Sequence, residues 1–285
     1  MQATATGFVA VLLWSLLALF TVGSAPTPPL LLNTISFAIG GMVGMVWAFA
    51  TGSLGQLRNV PLRVYLFGML GLFLYHLLYF YALRLAPAAQ AGLIAYLWPL
   101  LIVVFSGLLP SERLRTGHVI GALSGFAGAA LIIGAGASGM SSTALAGYLL
   151  ALLAAFTWAG YSVLSRMVGT APTASVAVFC LGTSALSLPL HLAFEDTVLP
   201  TTLWGWASIA GLGLGPLGFA FYVWDIGCKR GDIQLLGTSS YAAPLLSTLV
   251  LVAAGIAVPD VTLLWAVLLI TGGALSAARA SFTGK

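Results

Sequence analysis

Two short strings, YLWPLL beginning at Tyr96 and YAAPLL beginning at Tyr241, each set a tyrosine three residues before a proline in otherwise apolar sequence. Proline has no N–H to donate, so inside a helix Pro99 leaves the carbonyl of Ala95 unanswered and Pro244 does the same to Ser240. Such oxygens can accept from an ammonium group, while the Tyr96 and Tyr241 hydroxyls and the Trp98 indole can hold an apolar or aromatic body. In LYHLLYFYALR, His76 and Tyr79 lie three apart and Tyr75 and Tyr79 four apart, so they share one stripe of a helix. An ionisable side chain in the middle of an apolar run suggests function, although a neutral His76 bonding a neighbouring helix is the plainer alternative. Trp14 in LLWSLL and Trp158 in FTWAGY sit mid-run, where tryptophan is unusual, and both are candidates to line a cavity. Ser239 and Ser240, in GTSSYAAP, can either bond back to their own helix or meet a carboxylate. This chemistry is that of holding a small molecule.

Other chemistries are poorly served. The sequence has no HExxH, no GxSxG and no aspartate-rich motif, which argues against a membrane-embedded enzyme. GLGPLG, at 213–218, matches a dinucleotide-binding string, but no strand precedes it and no acidic residue follows at the right distance. Cys180 and Cys228 read as small buried hydrophobes, and neither a metal nor a cofactor is expected.

The elements that must position these residues follow from composition. Of 285 residues, 60% are hydrophobic and 6% charged, with a mean hydropathy of +1.09, against about 25% charged in a soluble domain. The chain is therefore an all-α polytopic membrane protein. Ten apolar stretches are long enough to cross a bilayer, at about 5–23, 30–51, 62–84, 88–109, 116–136, 144–166, 172–194, 202–228, 233–256 and 261–281. Short connections such as SAPTPP, APAAQ, PSERLR and CKRGD carry the breakers. The first stretch ends in TVGSA but lacks a preceding Lys or Arg, so it reads as a retained helix.

With a cytoplasmic amino terminus, Arg58, Arg63, Arg113, Arg115, Arg166, Lys229, Arg230, Arg279 and Lys285 face inward and Arg84 alone faces out; both termini are expected in the cytoplasm. Glu195, Asp196 and Asp260 fall in outer loops, and Asp225 pairs with Lys229 one turn on or with a neighbour. Trp47, Trp204, Trp206 and Trp265 lie nearer the ends of their stretches and read as an aromatic belt. Gly117, Gly121 and Gly125 form two consecutive GxxxG steps, a face for close helix packing. The positive charges form no basic stripe, so no nucleic-acid partner is expected.

An offset of 145 pairs Tyr96 with Tyr241, Pro99 with Pro244, Tyr79 with Trp224, Arg84 with Lys229 and Gly128 with Gly273, and an offset of 144 pairs Trp14 with Trp158. These matches imply duplication of a five-helix unit, 1–139 and 140–285, around a central cavity. An odd number of spans inverts the second copy, an arrangement found in secondary transporters with a midplane site between the repeats.

The five-plus-five pattern, the tryptophans of spans one and six, the LPSERLR turn and the glycine-rich fifth and tenth spans resemble the EamA-type branch of the drug/metabolite transporter superfamily. YHLLYFYAL, AYLWPLL and GTSSYAAPLLS look more narrowly like the bacterial aromatic-amino-acid exporters of the YddG type. The resemblance covers essentially the whole chain. It implies a basket-shaped bundle exporting aromatic and other neutral amino acids across the bacterial inner membrane. Carried over by motif, the lining is His76, Tyr79, Tyr96, Trp98, Pro99, Trp158 and Ser239, with Tyr241 and Pro244 as repeat mates. One departure is GIAVPD, where the second half lacks the SER turn of the first.

Physics narrows the cargo separately. No Lys or Arg falls mid-span to replace phosphate hydration, and GFVAVLLWSLLALF has no glutamate of the kind that small cation–proton exchangers carry in their first helix. A neutral or zwitterionic cargo with an apolar side chain fits, moved by alternating access as facilitated diffusion, with membrane lipid as surroundings and a monomer as the working unit. Proton-coupled export of other small apolar metabolites through His76 is the alternative, and a channel is a distant one.

Overall fold

Hydrocarbon offers no hydrogen bonds, so each backbone N–H and C=O of a spanning segment must be answered from within the protein. The computed structural model describes residues 1–110, 112–134, 144–168, 170–253, 255 and 261–282, and every regular element among them is helical. Along the chain these are α1 (Gln2–Trp14), α2 (Leu17–Gly23), α3 (Pro29–Ala50), α4 (Leu54–Leu57), α5 (Leu62–Leu85), α6 (Ala88–Ala95), α7 (Trp98–Ser106) and α8 (Thr116–Gly134). There follow α9 (Leu145–Leu164), α10 (Ser175–Phe194), α11 (Leu203–Leu214), α12 (Ala220–Arg230), α13 (Ile233–Ser239), α14 (Ala242–Ala253) and α15 (Val261–Phe282). A 3₁₀ turn, Ser165–Val168, extends α9, and a π-helical turn, Gly215–Phe219, joins α11 to α12.

Among the described residues, seven helical segments are long and apolar enough to cross a membrane, and Gln90–Ser106 and Thr116–Leu131 are shorter apolar helices. The chain is thus a multi-pass membrane protein. The shortfall from ten has a local cause in two places: the fourth expected span breaks at Tyr96–Leu97 and the ninth at Ser240–Tyr241. Asp260, Lys285 and the expected boundary between 139 and 140 lie outside the described residues.

Starts are set by proline and by capping side chains. Pro28, Pro61 and Pro87 precede α3, α5 and α6, where the missing N–H costs nothing. Thr202 Oγ1 accepts from Gly205 N at 3.1 Å and Asp232 Oδ1 from Leu235 N at 2.9 Å, capping α11 and α13.

The helices pair: α8 runs along α15, α3 along α10, α5 along α9 and α1 along α12. Small residues permit the approach. A Cβ on Gly121 would come within 2.5 Å of the Gly273 carbonyl, and one on Gly7 within 2.8 Å of Gly227 Cα. The outer surface is apolar, with Phe49 74% and Leu203 87% exposed, as a bilayer requires; Trp47, Trp204, Trp206 and Trp265 are exposed on it.

Four interruptions shape the interior. The break between α1 and α2 is not encoded by proline: Ser15 Oγ donates to Leu12 O at 2.6 Å, and Leu16 N tightens onto Leu13 O at 3.0 Å. Pro99 is the second residue of α7 and Pro244 the third of α14, so each helix breaks ahead of its proline and restarts through it. The Ser240 carbonyl is consequently occupied, accepting from Ala243 N at 3.0 Å. GLGPLG, the string without a nucleotide role, supplies residues 215–218 of the π-helical turn.

Candidate functional site

A cavity of about 610 Å³ lies among α2, the 24–28 connection, α3, α5, α6, the π turn and α14. Thr21, Ala25 and Pro26 are exposed at its mouth. Trp14, His76, Tyr79, Tyr96 and Pro244 line it, together with Tyr75, Phe80, Leu217, Asn33, Ser247 and Thr248. A second space of about 80 Å³ shares Trp14, Tyr75, His76, Tyr96 and Leu217 with it and adds Trp98, Trp158 and Phe221. Among the described residues, neither lining includes Lys, Arg, Asp or Glu.

The floor is an indole cluster. Trp14 stands edge-on to Trp98 at 5.9 Å and to Trp158 at 5.7 Å, and lies 5.0 Å from Trp224. Trp158 stacks on Trp224 at 6.2 Å. Edge-to-face rings are the favoured arrangement because the positive rim of one meets the negative face of the next. Hydrogen bonds hold the set in place: Trp14 Nε1 donates to the Pro216 carbonyl of the π turn at 3.1 Å, and Trp224 Nε1 to Ser162 Oγ at 3.1 Å. The break after Trp14 and the π turn thus meet through one indole.

One wall comes from α5. Tyr75 and Tyr79 stack at 6.0 Å, one turn apart, as their spacing requires. His76 is buried, edge-on to Phe37 at 4.9 Å, and its Nδ1 lies 2.7 Å from the Leu72 carbonyl. A carbonyl only accepts, so Nδ1 carries the proton and Nε2 is left for another partner.

Three expected lining residues are brought elsewhere. Tyr241 is fully buried, its ring beside Gly125, and its hydroxyl accepts from Leu100 N at 3.1 Å, answering a donor freed at the α6–α7 break. Pro99 is buried next to Gly237 of α13, its carbonyl oxygen 3.1 Å from where a Cβ on that glycine would fall. Ser239 lines a separate space of about 290 Å³ with Met1, Thr4, Asp232 and Ser281 at the other end of the molecule. Its neighbour Ser240 bonds back to Leu236 O at 2.7 Å. Conversely, Phe221 and Asn33 line the site and Trp224 backs its indole floor without having been singled out as lining; an asparagine inside an apolar run is the signal that Asn33 carries.

The end opposite the mouth is closed by polar pairs. Arg166 joins Glu112 and donates to the carbonyls of Gly231 and, at 2.9 Å, Cys228. Lys229 pairs with Asp225 at 2.8 Å, both buried, and Thr173 Oγ1 donates to Asp225 Oδ2 at 2.8 Å. Near the mouth, Glu195 accepts from Arg84 at 2.6 Å and from Leu30 N at 3.0 Å at the start of α3. Cys180 and Cys228 are free and buried.

Known proteins resemble the chain in sequence, and a solved structure resembles it in fold. A protein named aromatic amino acid exporter YddG from Ancylobacter novellus is 52% identical over 276 residues, 96% of each chain. One of the same name from Salmonella typhimurium is 28% identical over 263 residues, 87% of this chain and 86% of its own. The pseudopaline exporter CntI of Pseudomonas aeruginosa is 28% identical over 198 residues, 69% of this chain and 68% of its own. A solved crystal structure that is 51% identical superposes with a TM-score of 0.94 over 98% of both chains. The model of the EamA-like transporter family matches residues 2–134 and again 145–278. A family model that fits the chain twice, with a relative 52% identical along nearly its whole length, makes this membrane protein a member of the EamA-like transporter family.

Proposed function

We propose that the chain exports aromatic and other neutral amino acids across the bacterial inner membrane by alternating access, as facilitated diffusion. The cavity carries this reading: its walls are aromatic and hydroxyl side chains with no fixed charge, which suits a net-neutral cargo with an apolar body. The name of the 52% identical relative points to the same cargo. Ten spans as two inverted quintets, 1–139 and 140–285, underlie it. Shifting each helix by 145 residues returns the α3–α10 and α8–α15 pairs to themselves and turns α5–α9 into α12–α1, which supports the duplication. With both termini in the cytoplasm, as the positive charges favour, the mouth beside the 24–28 connection faces outward and the Arg166 end faces inward. A single chain walls the cavity, so a monomer suffices.

His76 gives the second reading its footing: an imidazole on the cavity wall with Nε2 uncommitted could carry a proton against an exported metabolite. Counterflow in liposomes separates the two. Labelled phenylalanine enters vesicles preloaded with unlabelled phenylalanine, saturably and with no pH or ion gradient, if export is facilitated diffusion. Strict dependence on an imposed pH gradient removes facilitation in favour of proton coupling, and absence of phenylalanine flux under every condition removes the cargo.

A further inference from the structure

Among the described residues the cavity lining holds no carboxylate, yet an amino acid brings an ammonium group whose dehydration costs several kcal/mol unless acceptors replace the lost water. Two buried atoms on its lining stand without partners. One is Asn33 Oδ1 and the other Thr27 Oγ1. The orientation of the Asn33 amide follows from its neighbour. Ser187 Oγ donates to Thr183 O at 2.8 Å, so towards Asn33 it can only accept, and it takes Nδ2 at 2.8 Å. That fixes the donor end of the amide on α10 and leaves the carbonyl oxygen as the end with nothing to bond. Asn33 is 1% exposed and Thr27 9%, so bulk water does not answer either atom in the way it answers a surface amide.

We infer that Asn33 Oδ1, its amide held by Ser187, and Thr27 Oγ1 form an ammonium subsite of the cavity that selects cargo carrying an amino group. The inference rests on the amino-acid reading given above. It also sets the orientation of the cargo: with the amino group near the start of α3, the side chain points to the indole floor formed by Trp14, Trp98 and Trp158. Neutral oxygens serve here better than a carboxylate. They accept from the ammonium without adding a charge that would hold a zwitterion too tightly to release.

The test compares the wild-type protein with Asn33→Leu and Thr27→Val in liposome counterflow of labelled phenylalanine, with unlabelled 3-phenylpropanoate, which lacks the amino group, as competitor. In the wild type, 3-phenylpropanoate competes at least tenfold less well than phenylalanine. Asn33→Leu raises the half-saturation for phenylalanine roughly tenfold, the loss expected of a hydrogen bond to a charged group, with maximal flux little changed, and narrows the gap between the two compounds. Thr27→Val, nearly the same shape, moves both readouts in the same direction by a smaller factor and guards against a folding defect in the first variant. Ser187→Ala, which frees the amide to turn, also weakens phenylalanine and leaves 3-phenylpropanoate unaffected. Equal competition by the two compounds in the wild type, or phenylalanine half-saturation unchanged in both Asn33→Leu and Thr27→Val, overturns the subsite while leaving phenylalanine export standing. No phenylalanine flux in the wild type overturns the functional reading itself, and the subsite with it.

Discussion

Tyr79 and Trp98 make different probes of the same cavity. Tyr79 is half-buried on the wall, so Tyr79→Ala removes a ring from the cargo's path without hollowing the core. The expected outcome is a several-fold rise in phenylalanine half-saturation with membrane insertion intact, read in liposome flux beside size-exclusion of the purified protein. Trp98 is 5% exposed among other indoles, so Trp98→Ala also opens a core void, at about 3–5 kcal/mol by analogy with other cores. Much of this site is legible in the sequence, because a polar aromatic or a histidine in an apolar run has few reasons to be there. His76, Tyr79, Tyr96 and Trp14 announce themselves in that way. Trp224 does not: a π-helical turn at 215–219 rotates everything beyond it, and no periodicity of 3.6 residues projects through such a turn. Tyr241 misleads for the opposite reason. Its repeat mate lines the cavity, but its own hydroxyl is used on the backbone of α7, a role that depends on contact across the chain.

The breaks within helices divide in the same manner. Pro99 and Pro244 mark interruptions that can be read from the residues, although each helix gives way two or three residues earlier and leaves the proline in a new first turn. The break at Ser15 has no such mark, since a serine in a helix more often leaves it continuous, and here its hydroxyl competes for the Leu12 carbonyl. The spans themselves are legible because hydrophobic length is a one-dimensional property, whereas the pairing of α8 with α15 depends on which glycines face each other. The repeated GxxxG spacing at 117, 121 and 125 does report that face for two of its members, while Gly125 turns to Tyr241. Gly121→Val should therefore force the two helices apart, as its Cβ would lie 2.5 Å from a backbone oxygen that cannot yield. We expect a loss of about 1–3 kcal/mol, seen as a lower unfolding temperature in detergent, with Gly272→Val, which has open space around its Cβ, as the neutral control.

At the scale of the molecule, the alternating access proposed above requires that a cavity open at one end be locked at the other. Arg166 is that lock's centre: Glu112 follows α7 in the first half, and the Cys228 and Gly231 carbonyls belong to the second, so the guanidinium ties the halves together. Glu112→Gln removes one charge and keeps the shape. The pair is only partly buried, each side chain 17% exposed, so a loss of about 1 kcal/mol is expected, enough to shift a two-state balance about fivefold towards opening at that end. Cys228, free, buried and held through its carbonyl by Arg166, should then react a few times faster with a membrane-impermeant maleimide added from the side of the amino terminus. An unchanged rate would remove Arg166 from gating. The four indoles clustered at and behind the cavity floor carry a further consequence. Rings held 5.0–6.3 Å apart at fixed angles share their electronic excitation, so they act as one chromophore. Any guest that wedges one ring away from the rest must alter the near-ultraviolet dichroism of the whole protein, and the molecule needs no attached dye to report that it is loaded.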